Sequence, residues 1–201
     1  MAERFEGGTE YGLRKRGGYD VEVRYEGDWV KFTRLMNSTN VVLAASARHG
    51  QQSFADDYCE AVKSNIRTGG RRFGYPQNEG EYLRRKQIHG LGSTALRASD
   101  TMLHSVKVMS NHSKTMYMVG IPTGISRPQY WPSDMNELEV HEYANIVEHG
   151  FATGKAIVPA RPVFSDTFRI TMGGKNGLKR YIEESIIKGF GLIGVRPRKR
   201  I

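Results

Sequence analysis

Between Trp29 and Ile66 the chain reads as one long helix, and no other segment constrains the fold as strongly. Apolar residues recur at Met36, Val42, Leu43, Ala47, Phe54, Tyr58, Val62 and Ile66, with four-residue steps late in the run. Such spacing puts them on one helical face, which has to be buried against a core or a neighbour. Gly50 interrupts the stripe, at about 1 kcal/mol relative to Ala, and marks a place where the helix can bend or break. Arg67-Thr68-Gly69-Gly70, a cation followed by glycines, reads as the C-terminal stop.

Shorter elements flank this helix. Residues 1–20 look irregular, and Val21-Glu22-Val23-Arg24-Tyr25 alternates as a strand does. Residues 69–93 are rich in Gly, Arg and Gln and read as a long loop with a short helix around Glu81 to Ile88. Loops of that length are often functional or ordered by a partner. Ser93 to Leu103 suggests a short helix. Ser105–Met109 and Thr115–Ile121, separated by Asn111-His112-Ser113, suggest a β-hairpin. Pro122 to Pro132 reads as a loop. A helix is expected from Asn136 to His149, capped near Ser133 or Asp134, ended by Gly150, with Leu138, Tyr143, Ile146 and Val147 on its apolar side. Another runs from about Leu178 to Ile187, with Ile182 and Ile186 on one face. The expected class is α+β, a small antiparallel sheet packed by helices, in a single domain over residues 1–201. Residues 1–20 and 69–93 would be an extended arm and loop, and 191–201 a basic tail.

Composition narrows the class further. With 38% hydrophobic and 10% aromatic residues the chain is no disordered polymer, while its 23 glycines imply many turns. Cys59 is the one cysteine, so an internal disulfide is excluded; its helical position and acidic neighbours point to a buried structural thiol. Residues 1–20 lack an apolar signal core, and no long apolar run spans a membrane, so folding in a cytoplasm is expected. The formal net charge is +9. From Lys155 to Ile201 eleven Lys or Arg face three acids, so nearly all the surplus lies in the last quarter. It ends in Arg196, Arg198, Lys199 and Arg200, which suit phosphate, an acidic partner or a nuclear-localisation signal, or only a solvated tail.

Motifs for catalysis are incomplete. His141-Glu142 begins like a zinc-protease helix, but Asn145 stands where the second histidine belongs. There is no nucleophile elbow, and the glycines around Arg71-Arg72 lack the Lys-Ser/Thr of a phosphate-binding loop. Asp134, Glu137, Glu139 and Glu142 read as a solvated acidic face. Neither a cofactor nor a metal is implied, and an enzyme is not expected. Arg71-Arg72-Phe73-Gly74-Tyr75 and Lys179-Arg180-Tyr181 interleave cations and aromatics, which could clamp nucleic acid or contact protein subunits.

One stretch resembles a known family. Tyr143-Ala144-Asn145-Ile146-Val147-Glu148-His149-Gly150 is followed by Ile157-Val158-Pro159-Ala160-Arg161-Pro162-Val163-Phe164. This is similar to the signature of the tail-completion or head–tail joining (neck) proteins of long-tailed bacteriophages, including the lambda minor tail protein Z group. Members carry a Tyr-Ala-x-x-x-Glu-x-Gly segment, a short variable loop, and an Ile-Pro-Ala-Arg-Pro-Phe segment. Val158 replaces the usual Ile, and Val163 is an extra residue before Phe164. Leu96-Arg97 to Val108 and Val119-Gly120 resemble the family's upstream segments, so the likeness runs from about Ser93 to Tyr181.

Local chemistry assigns parts within that motif. Pro159 and Pro162 fix φ and stiffen the approach, and Pro162 suits the first turn of a helix through Phe168. Gly150 would supply a left-handed helix end. Arg161 calls for a carboxylate, either Glu148 or an acid on a neighbouring subunit. The resemblance implies a structural virion protein, assembled in the host cytoplasm as a ring at the neck. Six copies would match tail symmetry. Its partners would be other copies of itself, the portal-side connector, the tail terminator or tube, and the passing genome. The alternative reading is a basic nucleic-acid-binding protein of phage or host.

Overall fold

The computed structural model describes residues 29–78, 80–96, 100–128, 138–153 and 156–192. The expected strand at Val21–Tyr25 and the basic tail residues Arg196, Arg198, Lys199 and Arg200 lie outside them. By internal contacts the chain divides into two units, Met1–Val41 and Val42–Ile201. The described part of the first unit is helical, and its Met36 and Val41 are exposed.

The fold is α+β and mostly helical, with two small antiparallel hairpins. Helix α1 spans Trp29–Arg67 without interruption. Its stop is a Schellman motif. The Gly70 N–H donates to Asn65 O at 2.8 Å and the Gly69 N–H to Ile66 O at 3.1 Å, with Gly69 at φ 68°. Only the C-terminal half of the apolar stripe enters the core. Phe54, Val62 and Ile66 are buried and Tyr58 partly so, whereas Leu43 is exposed.

After α1 come a 3₁₀ turn (Arg71–Phe73), α2 (Gly80–Ile88) and α3 (Thr101–Ser105). Strands β1 (Lys107–Ser110) and β2 (Tyr117–Gly120) pair antiparallel, with Val108 opposite Val119 and both packed on the core. The intervening turn is tied by Asn111, whose Oδ1 accepts from the N–H groups of Thr115 and Met116. Helix α4 is Val140–His149, β3 is Phe151–Thr153 and β4 is Ala156–Val158. The chain then forms α5 (Val163–Asp166), a π-helical turn (Thr167–Thr171) and α6 (Gly174–Leu192). The core gathers Cys59, Val62, Ile66, Tyr75, Leu96, Met102, Leu103, Val106, Val140, Ala144, Val147 and Val163. Cys59 is buried there, and burial pushes its thiol up from its ordinary pKa.

Three expectations need correction. Helix α4 starts at Val140, not near Asn136, because the acids form its cap. The Glu139 N–H donates to Glu142 Oε2 at 2.8 Å in a capping box, and Glu139 Oε2 accepts from the Gly124 N–H. Glu139 and Glu142 are thus capping groups as well as surface acids. The stretch between Gly150 and Ile157 is a β-hairpin, with Phe151 opposite Val158, not a loop. Residues 69–93 do not stand off as an extended loop: Tyr75 and Lys86 are buried.

Helix α1 runs through Gly50 without a break. The glycine is buried where α6 crosses, and an added Cβ would lie 2.7 Å from Ile182 Cα and 2.8 Å from Tyr181 O. Helices α1 and α6 run antiparallel here, since Gly189 meets Ser46 while Tyr181 meets Phe54 and Asp57. A small residue therefore sets the helix–helix approach, which outweighs its poor helix propensity. Gly50→Ala is expected to lower stability by about 1–3 kcal/mol through overpacking against backbone, despite the helix propensity gained. Urea denaturation checks this, and a raised midpoint would refute the close-approach account.

Candidate functional site

The candidate site is the segment from Tyr143 to Phe164, whose elements lock onto each other and onto α1. Helix α4 ends at Gly150, with φ 76° and ψ 168°. That is a positive-φ conformation but not the left-handed helical one, so the chain turns straight into β3. A Cβ at Gly150 would lie 2.8 Å from Ala160 N and 2.9 Å from Val158 O, so the returning strand β4 also requires glycine here. After Pro159, the Arg161 N–H donates to Val147 O at 2.8 Å, tying the strand exit back to α4. Pro162, at φ −75° and ψ 66°, makes an inverse γ-turn in which the Val163 N–H donates to Arg161 O at 2.7 Å. It precedes α5 as its N-cap residue instead of occupying the first turn.

Glu148 and Arg161 do not pair. Both Glu148 oxygens are taken by the start of α5: Oε2 accepts from the Phe164 N–H at 3.0 Å, and Oε1 from the Ser165 N–H at 2.8 Å and hydroxyl at 2.6 Å. These N–H groups have no partner within the helix, so a carboxylate there satisfies two donors at once. Arg161 is 5% exposed and reaches the other way. Its Nε donates to Pro76 O at 3.0 Å and its Nη2 to Asn78 Oδ1 at 3.1 Å. The sequence expectation of a carboxylate partner fails in favour of a backbone carbonyl and an amide, because Arg161 anchors the 75–78 segment. Burial lowers the guanidinium pKa from its ordinary value.

The partners of several residues in this arrangement gave no signal in the sequence. The Tyr58 hydroxyl donates to Phe164 O at 2.9 Å, and burial, then the Glu148 charge, pushes its pKa up to about 12. The Tyr75 hydroxyl donates to Asp166 Oδ2 at 3.0 Å and is likewise held far above its ordinary pKa, chiefly by burial. Asn65 Nδ2 donates to the fully buried Thr167 hydroxyl oxygen at 2.7 Å. Lys86 is 1% exposed. Its Nζ donates to Thr94 O at 2.8 Å and lies 5.5 Å from the Tyr82 ring centre. Desolvation, then the nearby Arg161 charge, lowers its pKa to about 8. Tyr143 is half-buried, with the Arg127 guanidinium 4.9 Å over its ring.

His141 and His149 are held locally. His141 Nδ1 lies 2.9 Å from Glu139 Oε2, and His149 Nδ1 lies 3.1 Å from Asn145 O. Among the described residues no group of three or more His, Cys, Asp or Glu is placed to hold a metal, and no helix is long and apolar enough to cross a membrane. Comparison with family models, curated proteins and solved structures found no match to this chain.

Arg161→Lys is expected to destabilise the protein by on the order of 2–4 kcal/mol, because an ammonium cannot serve Pro76 O and Asn78 Oδ1 with the same planar fork. Glu148→Gln should cost about 1–2 kcal/mol by weakening the α5 cap. Chemical denaturation reads both, and an unchanged midpoint for either would remove that residue from the locking scheme.

Stability should also depend on pH with a defined sign. Lys86 binds its proton less tightly in the folded state, so its burial penalty is complete below about pH 8 and fades between there and its ordinary 10.5. Tyr58 acts oppositely: its stabilisation is complete below pH 10 and is lost toward about 12. Urea midpoints should therefore rise from pH 8 to about 9, above which titration of the Cys59 thiol in the unfolded chain opposes the Lys86 effect, and fall above 10. In Lys86→Met the rise should vanish while the fall persists. A rise that survives in Lys86→Met would assign it to another group.

Proposed function

We propose that this protein is a structural, non-enzymatic component of the neck of a long-tailed phage virion. It assembles in the host cytoplasm as a ring that completes the tail and joins it to the head. The reading rests on the resemblance carried by Tyr143, Glu148, Gly150, Pro159, Arg161, Pro162 and Phe164. It gains support from one structural observation: Glu148 caps α5 at Phe164, the Arg161 N–H ties back to Val147, and the hairpin between them keeps apolar side chains in solvent. Phe151 is 49% and Ile157 73% exposed, and, lying in successive cross-strand pairs, they put apolar surface on both faces of the hairpin. Apolar side chains exposed next to a braced, hydrogen-bonded motif suit a surface built for subunit contact.

A closed ring needs a heterologous interface, in which two different patches meet. The β3–β4 hairpin is a candidate for one patch. The other partners in this scheme are the portal-side connector on one side and the tail terminator or tube on the other.

Purified particles should contain the protein, and deletion of its gene should leave filled heads and finished tails unjoined. Replacing Phe151 and Ile157 together by Asp should reduce self-association in sedimentation experiments and abolish joining, with little change in melting temperature. Particles that lack the protein, or a deletion that still yields joined infectious virions, would overturn the proposal.

A further inference from the structure

We infer that the end of α1 and the turn after it form a surface that contacts the phosphate backbone of duplex nucleic acid. Arg161 of the Tyr143–Phe164 motif holds the 75–78 segment beside this surface, but the arginines themselves lie outside the motif, and the inference does not depend on the neck reading. From Ala61 to Asn78 the chain carries Lys63, Arg67, Arg71 and Arg72 and no acid. Lys63 is spent on Glu60, at 2.9 Å. Arg67, Arg71 and Arg72 are exposed, and within the described residues none makes an ion pair, a side-chain hydrogen bond or a ring contact. Surface arginines in proteins of mixed charge commonly find a carboxylate; three together without one leave a local positive field.

The turn weakens what would oppose an anion. A helix C-terminus carries partial negative charge on its free carbonyls. Here Ser64 O, Asn65 O and Ile66 O already accept from the N–H groups of Thr68, Gly70 and Gly69. Beside the turn lies a pocket of about 160 Å³ lined by Thr68, Gly69, Arg71, Gln77, Ser93 and Thr94. Its wall is closely built. A Cβ on Gly69 would lie 2.9 Å from Thr94 Cβ, and Lys86 Nζ holds the Thr94 carbonyl from behind. The Thr94 hydroxyl is buried and has no protein partner. Arg71, with hydroxyl and amide groups around it, is the donor set that receives a phosphate oxygen.

The same geometry decides how nucleic acid would be read. The sequence pairs these arginines with Phe73 and Tyr75, which suggests base stacking. In the structure the two rings pack on each other at 5.4 Å and join the core, and the Tyr75 hydroxyl is engaged by Asp166. Tyr75 is thereby committed to the core, and Phe73 is half-buried against it. The inferred contact is therefore chiefly to phosphate, with little sequence preference and strong salt dependence.

The test uses the full-length protein and two short fluorescent duplexes of unrelated sequence, with anisotropy titrations between about 50 and 200 mM salt. Both duplexes should bind equally. The variant Arg67→Ala/Arg71→Ala/Arg72→Ala should bind at least about tenfold more weakly and flatten the log–log salt slope by about 0.9 for each phosphate that it no longer neutralises. The same weakening should appear in a background where Arg196, Arg198, Lys199 and Arg200 are all Ala, which separates this surface from the basic tail. All three arginines are exposed, so an unchanged melting temperature serves as the folding control. The inference is overturned if the wild-type protein does not bind duplex, or if the triple variant keeps the wild-type slope. It is also overturned if polyglutamate binds as tightly and displaces the duplex through these arginines. Such an outcome would assign the surface to an acidic protein. Whether the protein is found in particle necks is a separate measurement, so failure of one reading leaves the other standing.

Discussion

The burial of the Arg161 guanidinium is the constraint on which the rest of the molecule depends. A cation removed from water has to be met by oxygen acceptors, or its desolvation goes uncompensated. Here Pro76 O and Asn78 Oδ1 meet it, and the same residue's N–H ties to Val147 O. One residue thus joins the segment after α1, the end of α4 and the approach to α5. Pro159 and Pro162 restrict the backbone on either side, so less freedom is lost when Arg161 is fixed. Because the guanidinium is planar and rigid, it also sets the direction from which the 75–78 segment arrives.

Around that anchor, polar tethers do what a large sheet does in other α+β folds. Tyr58, Asn65 and Tyr75 reach Phe164 O, Thr167 and Asp166 in turn, and Glu148 caps α5 from the facing helix. Each tether crosses a stretch of sequence, so α5 and the π-helical turn are held by side chains from elsewhere more than by their own short length. This arrangement leaves both hairpins with apolar side chains in solvent, Met118 on one and Phe151 and Ile157 on the other. A chain whose small strands carry exposed apolar side chains can present them to a neighbouring subunit. That physical link connects the locking scheme with the proposed place in a ring. The arginines at the end of α1, which make no ion pair among the described residues, stand on a turn that closes three of the helix's last carbonyls.

Periodic and punctuating features were legible in the sequence. Helix α1, its stop at Thr68–Gly70, the β1–β2 hairpin, α2 and the ending of α4 at Gly150 all follow from spacing and from glycine. The motif from Tyr143 to Phe164 was visible as a block, but the partners inside it were not. Glu148 and Arg161 look complementary in one dimension. The structure sends Glu148 to the open N–H groups of α5 and Arg161 to Pro76 and Asn78, because each short helix start and each buried carbonyl competes for the nearest charge. Lys86, inside the short helix expected around Glu81 to Ile88, is almost wholly buried. Nothing in its neighbours along the chain distinguishes it from exposed Arg84 or Arg85, since its burial comes from the Thr94 and Arg161 segments.

By itself, the sequence determined the features that depend on neighbours along the chain: the long helix, its glycine stop, the alternating hairpin and the proline-stiffened approach to Phe164. Tertiary structure alone decided which residues of the stripe are buried, what Gly50 is for, and where Arg161 and Glu148 find partners. The physical reason is range. Helical periodicity, φ restriction and turn chemistry act over a few residues, so they can be read locally. Burial and the satisfaction of polar groups depend on whatever distant segment arrives, as Pro76 arrives at Arg161 and Ile182 at Gly50.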